Sequence, residues 1–228
     1  MASCESVSRI TTTWLLFMFT SSSLAAASYS NIDGNKVSLS QDPQNVNLSL
    51  YYETLSPNCS IFIIKNLESV FNNGLISIIN LRLVPWGNAY INNSSIVCKH
   101  GPDQCLLNTI EACAINVYND VNKYFGLISC IELLAIEGRQ MAWQTCFSYL
   151  GLPLKPVMDC YNSRNGTKLE LKYGRETAHL VPPHTLLPWV VVNNQPIRDD
   201  YENYTTYVCK AYKGQKAPNA CKSSLPFA

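Results

Sequence analysis

Cys59 stands alone among polar and apolar residues in the stretch Leu55-Ser56-Pro57-Asn58-Cys59-Ser60, and the next cysteine along the chain is Cys98. A thiol at a helix N-terminus gains from the helix dipole and the free backbone N–H groups, which favour its thiolate. Two cysteines at positions 56 and 59 would form a dithiol exchange site: the first attacks a substrate disulfide, and the second resolves the mixed disulfide. The first position here is Ser56, whose hydroxyl cannot form a disulfide and at a helix start usually caps the backbone instead. Nor does Ser56 sit in the strand, Gly-x-Ser-x-Gly and helix setting of a hydrolase nucleophile. Leu187-Pro188, just ahead of the apolar run Trp189-Val190-Val191-Val192, is a second feature with chemical meaning. An X-Pro bond held cis before a strand marks a specific tight geometry, and Pro188 is expected to bring backbone against the sulfur.

The surrounding elements fit that chemistry. Val46 to Tyr52 alternates, with Val46, Leu48 and Leu50 on one face and Asn47 and Ser49 on the other, which predicts a strand. Cys59 to Phe71 has helical spacing through Ile61, Ile64, Leu67 and Phe71, with Pro57 suited to the first turn and Asn73-Gly74 to the end. Leu75 to Val84 reads as a second strand, so this half is β-α-β with parallel strands. Short helices are expected over 105–118, 124–137, 140–150, 157–161 and 167–179. Trp189 to Val192 is a strand, Asn193-Asn194 a hairpin turn, and Gln195-Pro196-Ile197 a short edge strand. A last helix is expected over 201–212. The fold class is α/β: a thioredoxin-like fold with a disulfide-rich helical insertion, about 98–178, between the β-α-β half and the cis-Pro, hairpin and helix half.

Composition bounds the setting. The 228 residues carry 14% charged residues and a net charge of +1, with neither a basic face for nucleic acid nor an acidic run. Arg9, the apolar run 14–19 and the small residues to Ala27 read as a signal peptide over 1–27. Residues 28–44 read as a flexible leader or propeptide, 45–212 as the domain, and 213–228 as a tail that is loose apart from Cys221. No mature segment is long enough to span a bilayer. Five Asn-x-Ser/Thr acceptors, Asn47, Asn92, Asn93, Asn165 and Asn203, fit a glycoprotein of the secretory pathway. Asn58 makes a further such triplet with Ser60.

Cys4 falls in the signal peptide, which leaves nine of the ten cysteines. Eight of them, Cys98, Cys105, Cys113, Cys130, Cys146, Cys160, Cys209 and Cys221, are disulfide candidates whose connectivity the spacing leaves open. Cys59 is the odd one. It reads as an inert thiol, as a monothiol site for glutathione or client proteins, or as a link between two chains. Cys98, His100, Cys105 and Cys113 could ligate zinc, but the Cys-x2-4-Cys pairing of zinc sites is missing and an oxidising lumen favours disulfides. No metal or cofactor is expected. His100 reads as a structural hydrogen-bonder, His179 and His184 as solvated loop residues, and Trp86, Trp143 and Trp189 as core or groove aromatics.

The run Cys98-Lys99-His100-Gly101-Pro102-Asp103-Gln104-Cys105-Leu106-Leu107-Asn108-Thr109-Ile110-Glu111-Ala112-Cys113 resembles the signature of the gamma-interferon-responsive lysosomal thiol reductases and their plant relatives, Cys-Gln-His-Gly-x2-Glu-Cys-x2-Asn-x4-Cys. Lys99 and Gln104 depart from it. Tyr51-Tyr52-Glu53 and Pro188-Trp189-Val190-Val191 are similar to that family too, and the resemblance covers about residues 45–212. It implies a thioredoxin-like fold and reduction of disulfides in an acidic lumen, in an extracellular or lysosomal/vacuolar setting. It also implies a Cys-x-x-Cys site in which Ser56 replaces the attacking sulfur and Cys59 keeps the resolving position. Activity is then lowered or confined to monothiol exchange with disulfide-bearing clients or small thiols such as glutathione. The alternative is a redox-inactive glycoprotein that holds client peptides in the groove beside Pro188. A monomer is expected, with a disulfide-linked dimer as the other possibility.

Overall fold

In the computed structural model, which describes residues 45–224, the alternation read from the sequence becomes β1 (Val46–Tyr52). Leu48, Leu50 and Tyr52 point into one core and Tyr51 into another. The chain then turns through Leu55, whose φ of 63° is left-handed, a conformation that costs a side-chain-bearing residue about 1–2 kcal/mol. Pro57 opens α1 (Pro57–Ile61), which runs on through a wider π-turn stretch, Phe62–Leu67, into α2 (Ser69–Asn72). The widening shows in the i→i+5 bond from Glu68 N to Ile63 O at 3.1 Å. Gly74, at φ 80°, ends the helix.

The second strand is shorter than the apolar run predicts. Leu75–Ile78 is a single 3₁₀ turn, and β2 covers only Ile79–Pro85. The Asn73 side chain accepts from Leu75 N at 3.0 Å, and the Ser77 hydroxyl donates to Gly74 O at 2.7 Å. These local bonds occupy the backbone before a strand can start. An unexpected hairpin follows, β3 (Tyr90–Asn92) and β4 (Ser95–Val97), with Asn93 and Ser94 both left-handed at its tip.

Five helices make the insertion: α3 (Pro102–Tyr118), α4 (Val121–Ile136), α5 (Gln144–Leu150), α6 (Leu154–Asn162) and α7 (Arg164–Ala178). The last starts earlier than its apolar spacing suggests because the Ser163 hydroxyl caps it, accepting from Asn165 N at 3.2 Å. Cys113–Cys160 ties α3 to α6, and Cys130–Cys146 ties α4 to α5. Leu107, Ile110, Ile131, Phe147 and Val157 form the core of this unit.

The chain returns through β5 (Trp189–Val192) and the two-residue β6 (Gln195–Pro196), joined by Asn193 and Asn194 with both φ values positive, as a type I′ hairpin requires. The sheet order is β2-β1-β5-β6, with β1 and β2 parallel and the remaining pairs antiparallel. A 3₁₀ stretch, Arg198–Asn203, takes the start of the expected final helix, and α8 covers Tyr204–Ala211. Phe62 meets Tyr204 and Tyr201 edge-on at 5.4 and 5.6 Å, which packs α8 and the π stretch on the Leu48–Leu50–Tyr52 face.

In the tail Cys221 is the tethered point, as its exception from the loose segment implies: it lies in α9 (Asn219–Ser224), tied back to α8 by Cys209–Cys221. Closing that short loop stabilises mainly through the unfolded chain, and removing it should cost about 3 kcal/mol. Cys209→Ala/Cys221→Ala is therefore expected to lower the urea midpoint and to raise the slope of unfolding slightly, because the uncrosslinked chain unfolds to a more open state. The signal peptide expected over 1–27 and the leader expected over 28–44 lie outside the described residues.

Candidate active site

The turn after β1 delivers the motif to one end of the sheet. Ser56 is the N-cap residue of α1, with φ −89° and ψ 115°, and its carbonyl accepts from Ser60 N at 3.0 Å. Its side chain does not cap the helix, contrary to the expectation for a serine there. The hydroxyl hydrogen-bonds the Cys59 sulfur instead, and the Glu53 backbone bonds the same sulfur. Pro57 and Asn58 are exposed, whereas Cys59 is 0% exposed and is the one free cysteine among the described residues. Burial dominates its titration and pushes the thiol up to about 12, with the nearby carboxyls of Glu132 and Glu53 adding to the rise. The two hydrogen bonds pull the other way and lose. The low-pKa thiolate expected of a helix N-terminus is thus overruled by desolvation.

Pro188 is buried and its peptide with Leu187 is cis. Tyr51 pairs with Trp189 across β1 and β5, so one step further along the ladder Pro188 lies beside Tyr52, at the end of the sheet where the Ser56–Cys59 turn begins. Val181-Pro182 is a second cis bond in the same approach.

The signature block holds the turn in place. Asn108 Oδ1 accepts from Thr54 N and from the Thr54 hydroxyl, both at 3.1 Å, and Thr54 Oγ1 also donates to Gln104 O at 3.2 Å. Cys98–Cys105 closes the loop in front of α3. His100 is the structural hydrogen-bonder that its place in the signature suggests, with its Nε2 3.2 Å from the buried Glu53 carboxylate. His184 reaches Asn88 Oδ1 at 3.2 Å, and burial holds its imidazole below the usual histidine range. His179 bonds only the Arg175 carbonyl, at 2.6 Å. Cys98, Cys105 and Cys113 are committed to disulfides, two of them to each other. The acceptors Asn47, Asn92, Asn93, Asn165 and Asn203 are all exposed, with Asn92 and Asn93 at the hairpin tip.

Sequence reasoning missed the carboxyls behind the site. Tyr52 OH donates to Glu111 Oε2 at 2.7 Å, and the Ser60 hydroxyl donates to Glu132 Oε2. Glu111 Oε1, Glu132 Oε1 and both oxygens of Glu170 are buried without a protein partner. Burial drives all three carboxyls upward, Glu132 to about 8. The signal was there to read: each of these glutamates interrupts the apolar spacing of a helix, as in Ile131-Glu132-Leu133-Leu134.

A β-α-β unit with a cysteine in the first turn of its helix, a helical insertion and a cis-Pro strand define the thioredoxin-like scaffold of thiol–disulfide oxidoreductases. A DsbA from Chlamydia trachomatis shares that fold, with a TM-score of 0.51 over 74% of this chain and 88% of its own, at 15% identity. So does the thiol–disulfide oxidoreductase MdbA of Corynebacterium diphtheriae, with a TM-score of 0.51 over 77% and 86%, at 12% identity. Residues 47–150 match the family model of gamma interferon inducible lysosomal thiol reductase. The Arabidopsis thaliana gamma-interferon-responsive lysosomal thiol protein is 37% identical over 184 residues, spanning 78% of this chain and 76% of the relative. The mouse gamma-interferon-inducible lysosomal thiol reductase is 32% identical over 184 residues, spanning 78% and 72%. The chain belongs to the gamma-interferon-inducible lysosomal thiol reductase family.

Proposed function

We propose that this chain is a member of the thiol reductase family that holds disulfide-bearing client polypeptides but has lost two-step disulfide reduction. The observation that carries this reading is the Cys59 sulfur, wholly buried and hydrogen-bonded to the hydroxyl of Ser56, where dithiol exchange needs an attacking thiolate. With the thiol at about 12, fewer than ~1 in 10⁴ molecules carries a thiolate even at neutral pH. What remains is a surface for a client. A hollow of about 150 Å³ lined by Leu55, Pro57, Ser60, Ile61, Ala135 and Ile136 opens beside the motif. Ile61 and Ile136 are 40% and 44% exposed, so apolar client side chains are the matching chemistry. Burial of Cys59 supports a monomer over a disulfide-linked dimer. The exposed Asn-x-Ser/Thr sites and the lysosomal relatives support a glycoprotein of the secretory route, extracellular or in a lysosome or vacuole.

Iodoacetamide and glutathione disulfide offered to the folded protein test the reading. Intact-mass measurement is expected to find Cys59 unmodified, and alkylated once the chain is denatured. The protein alone should leave insulin disulfides intact, yet retain a disulfide-bonded apolar peptide in a pull-down. Fast modification of folded protein would overturn the redox-silent reading.

One observation favours a second reading, monothiol exchange at Cys59. Two hydrogen bonds converge on its sulfur, from the Ser56 hydroxyl and the Glu53 backbone, and both favour the thiolate. Under that reading the folded protein forms a glutathione adduct that Cys59→Ala abolishes.

A further inference from the structure

We infer that Glu53 is the positioning residue of this site: its buried carboxylate ties the turn carrying Ser56 and Cys59 to the loop that leads into Pro188. The inference rests on reading that turn as the edge of the client surface. Glu53 is 2% exposed. Its Oε2 accepts from Asn88 N at 2.8 Å and from Gln104 Nε2 at 3.4 Å. Its Oε1 accepts from Asn88 Nδ2 at 3.3 Å and lies 3.2 Å from His100 Nε2. A carboxylate offers about four lone-pair sites, so this one is fully engaged. Its partners come from the loop after β2 and from the start of the insertion.

Asn88 carries the connection further. Its amide nitrogen is spent on Glu53, which leaves Oδ1 to accept from His184 Nε2 at 3.2 Å. His184 lies four residues before Pro188. On the other side, the Glu53 backbone bonds the Cys59 sulfur. The Glu53 carboxylate thus joins its own turn to the loop after β2 and to the start of the insertion, and through Asn88 reaches the loop before Pro188.

Two sequence features are needed for this arrangement. Gly87, at φ 61°, passes so close that a Cβ would stand 2.4 Å from the Glu53 Cβ. Gln104, where the family signature has Glu, presents an amide N–H₂ to Glu53 and accepts from His100 N through Oε1 at 2.7 Å. A glutamate in its place would set two buried carboxyls against each other. Apolar packing could hold these loops together, but it would not require a carboxylate facing four donors.

Hydrogen–deuterium exchange of the mature protein tests the assignment. Glu53→Gln turns an amide N–H₂ toward donors, and losing charge-assisted bonds of this kind should speed exchange in 86–89 and 182–188 by roughly tenfold or more. Exchange in β1 and β5 should stay as in the wild type. Asn88→Ala removes an exposed side chain that folding can spare, and should loosen 182–188 alone. A folded Glu53→Gln protein with unchanged exchange in 182–188, or an Asn88→Ala protein with no change there, would each overturn the proposal. None of these readings uses a client or a thiol reagent, so they stand apart from the tests of the proposed function.

Discussion

Ser56→Cys is expected to turn the silent site into a working dithiol pair. Insulin reduction in the presence of a small-thiol reductant should rise from background by on the order of 100-fold or more, because the missing step is the attack itself. The geometry supports so large a gain from one atom. The Ser56 hydroxyl already hydrogen-bonds the Cys59 sulfur, so a sulfur in its place starts within bonding reach of its partner. Ser56 sits at the N-cap with Pro57 fixing the first helical residue, a position where the free N–H groups stabilise a thiolate. It is also the more open of the two, at 9% exposure against none for Cys59, which suits it to attack and Cys59 to resolve. Ser56→Cys/Cys59→Ala should then trap mixed disulfides with client proteins, visible as high-mass bands that reductant removes. A well-folded Ser56→Cys variant with no activity would show that the departure from the family extends beyond position 56, with Lys99 the next residue to revert.

How much of this was legible follows from how local each signal is. The alternation of Val46 to Tyr52, the Asn193-Asn194 turn and Pro188 before an apolar strand are written in neighbouring residues, and each lies where its pattern puts it. The signature from Cys98 to Cys113 identifies the insertion, yet it does not say that Cys98 joins Cys105 while Cys113 reaches across to Cys160. Pairing is a matter of which helices pack, and one sequence does not display packing. The same limit applies at the site. A cysteine in the first turn of a helix reads as a lowered pKa, since the dipole is local; its burial comes from β1, α4 and the π stretch closing around it. Burial at this depth outweighs the helix terminus, and the sign of the shift reverses. The strand read over 75–84 lost its first turn to Asn73 and Ser77 for the opposite reason: two short side-chain bonds beat an apolar run. Glu53 shows a further kind of illegibility, because its partners lie 35, 47 and 51 residues away.

The buried carboxyls make the second large prediction, that the fold is most stable in acid and weakens toward alkaline pH. Glu111, Glu132 and Glu170 are each at most 1% exposed, and four of their oxygens have no protein partner. Such groups fold in their neutral form. Their folded pKa values lie above the unfolded value near 4.5, so the stability they contribute is fully present below about pH 4.5. As pH rises the unfolded chain ionises first and gains relative to the native state, until the folded carboxyls follow, at about 8 for Glu132. Over that window Glu132 alone accounts for on the order of 5 kcal/mol at most. For a domain of this size that is a fall in Tm of roughly 10 °C or more between pH 5 and pH 8. The groups facing the cluster do not reverse the sign. Tyr52 and Tyr173 are themselves pushed upward and stay neutral over this range, and so does Cys59. His184 works the other way, favouring higher pH because its folded imidazole resists protonation, but it is half-buried and its shift is smaller. Glu132→Gln separates the cause from the rest: the amide oxygen still accepts from Ser60, while the ionisable group is gone. Thermal unfolding followed by circular dichroism from pH 4.5 to 8 should give a clearly flatter profile for Glu132→Gln than for the wild type. Equal slopes would assign the pH dependence to other groups.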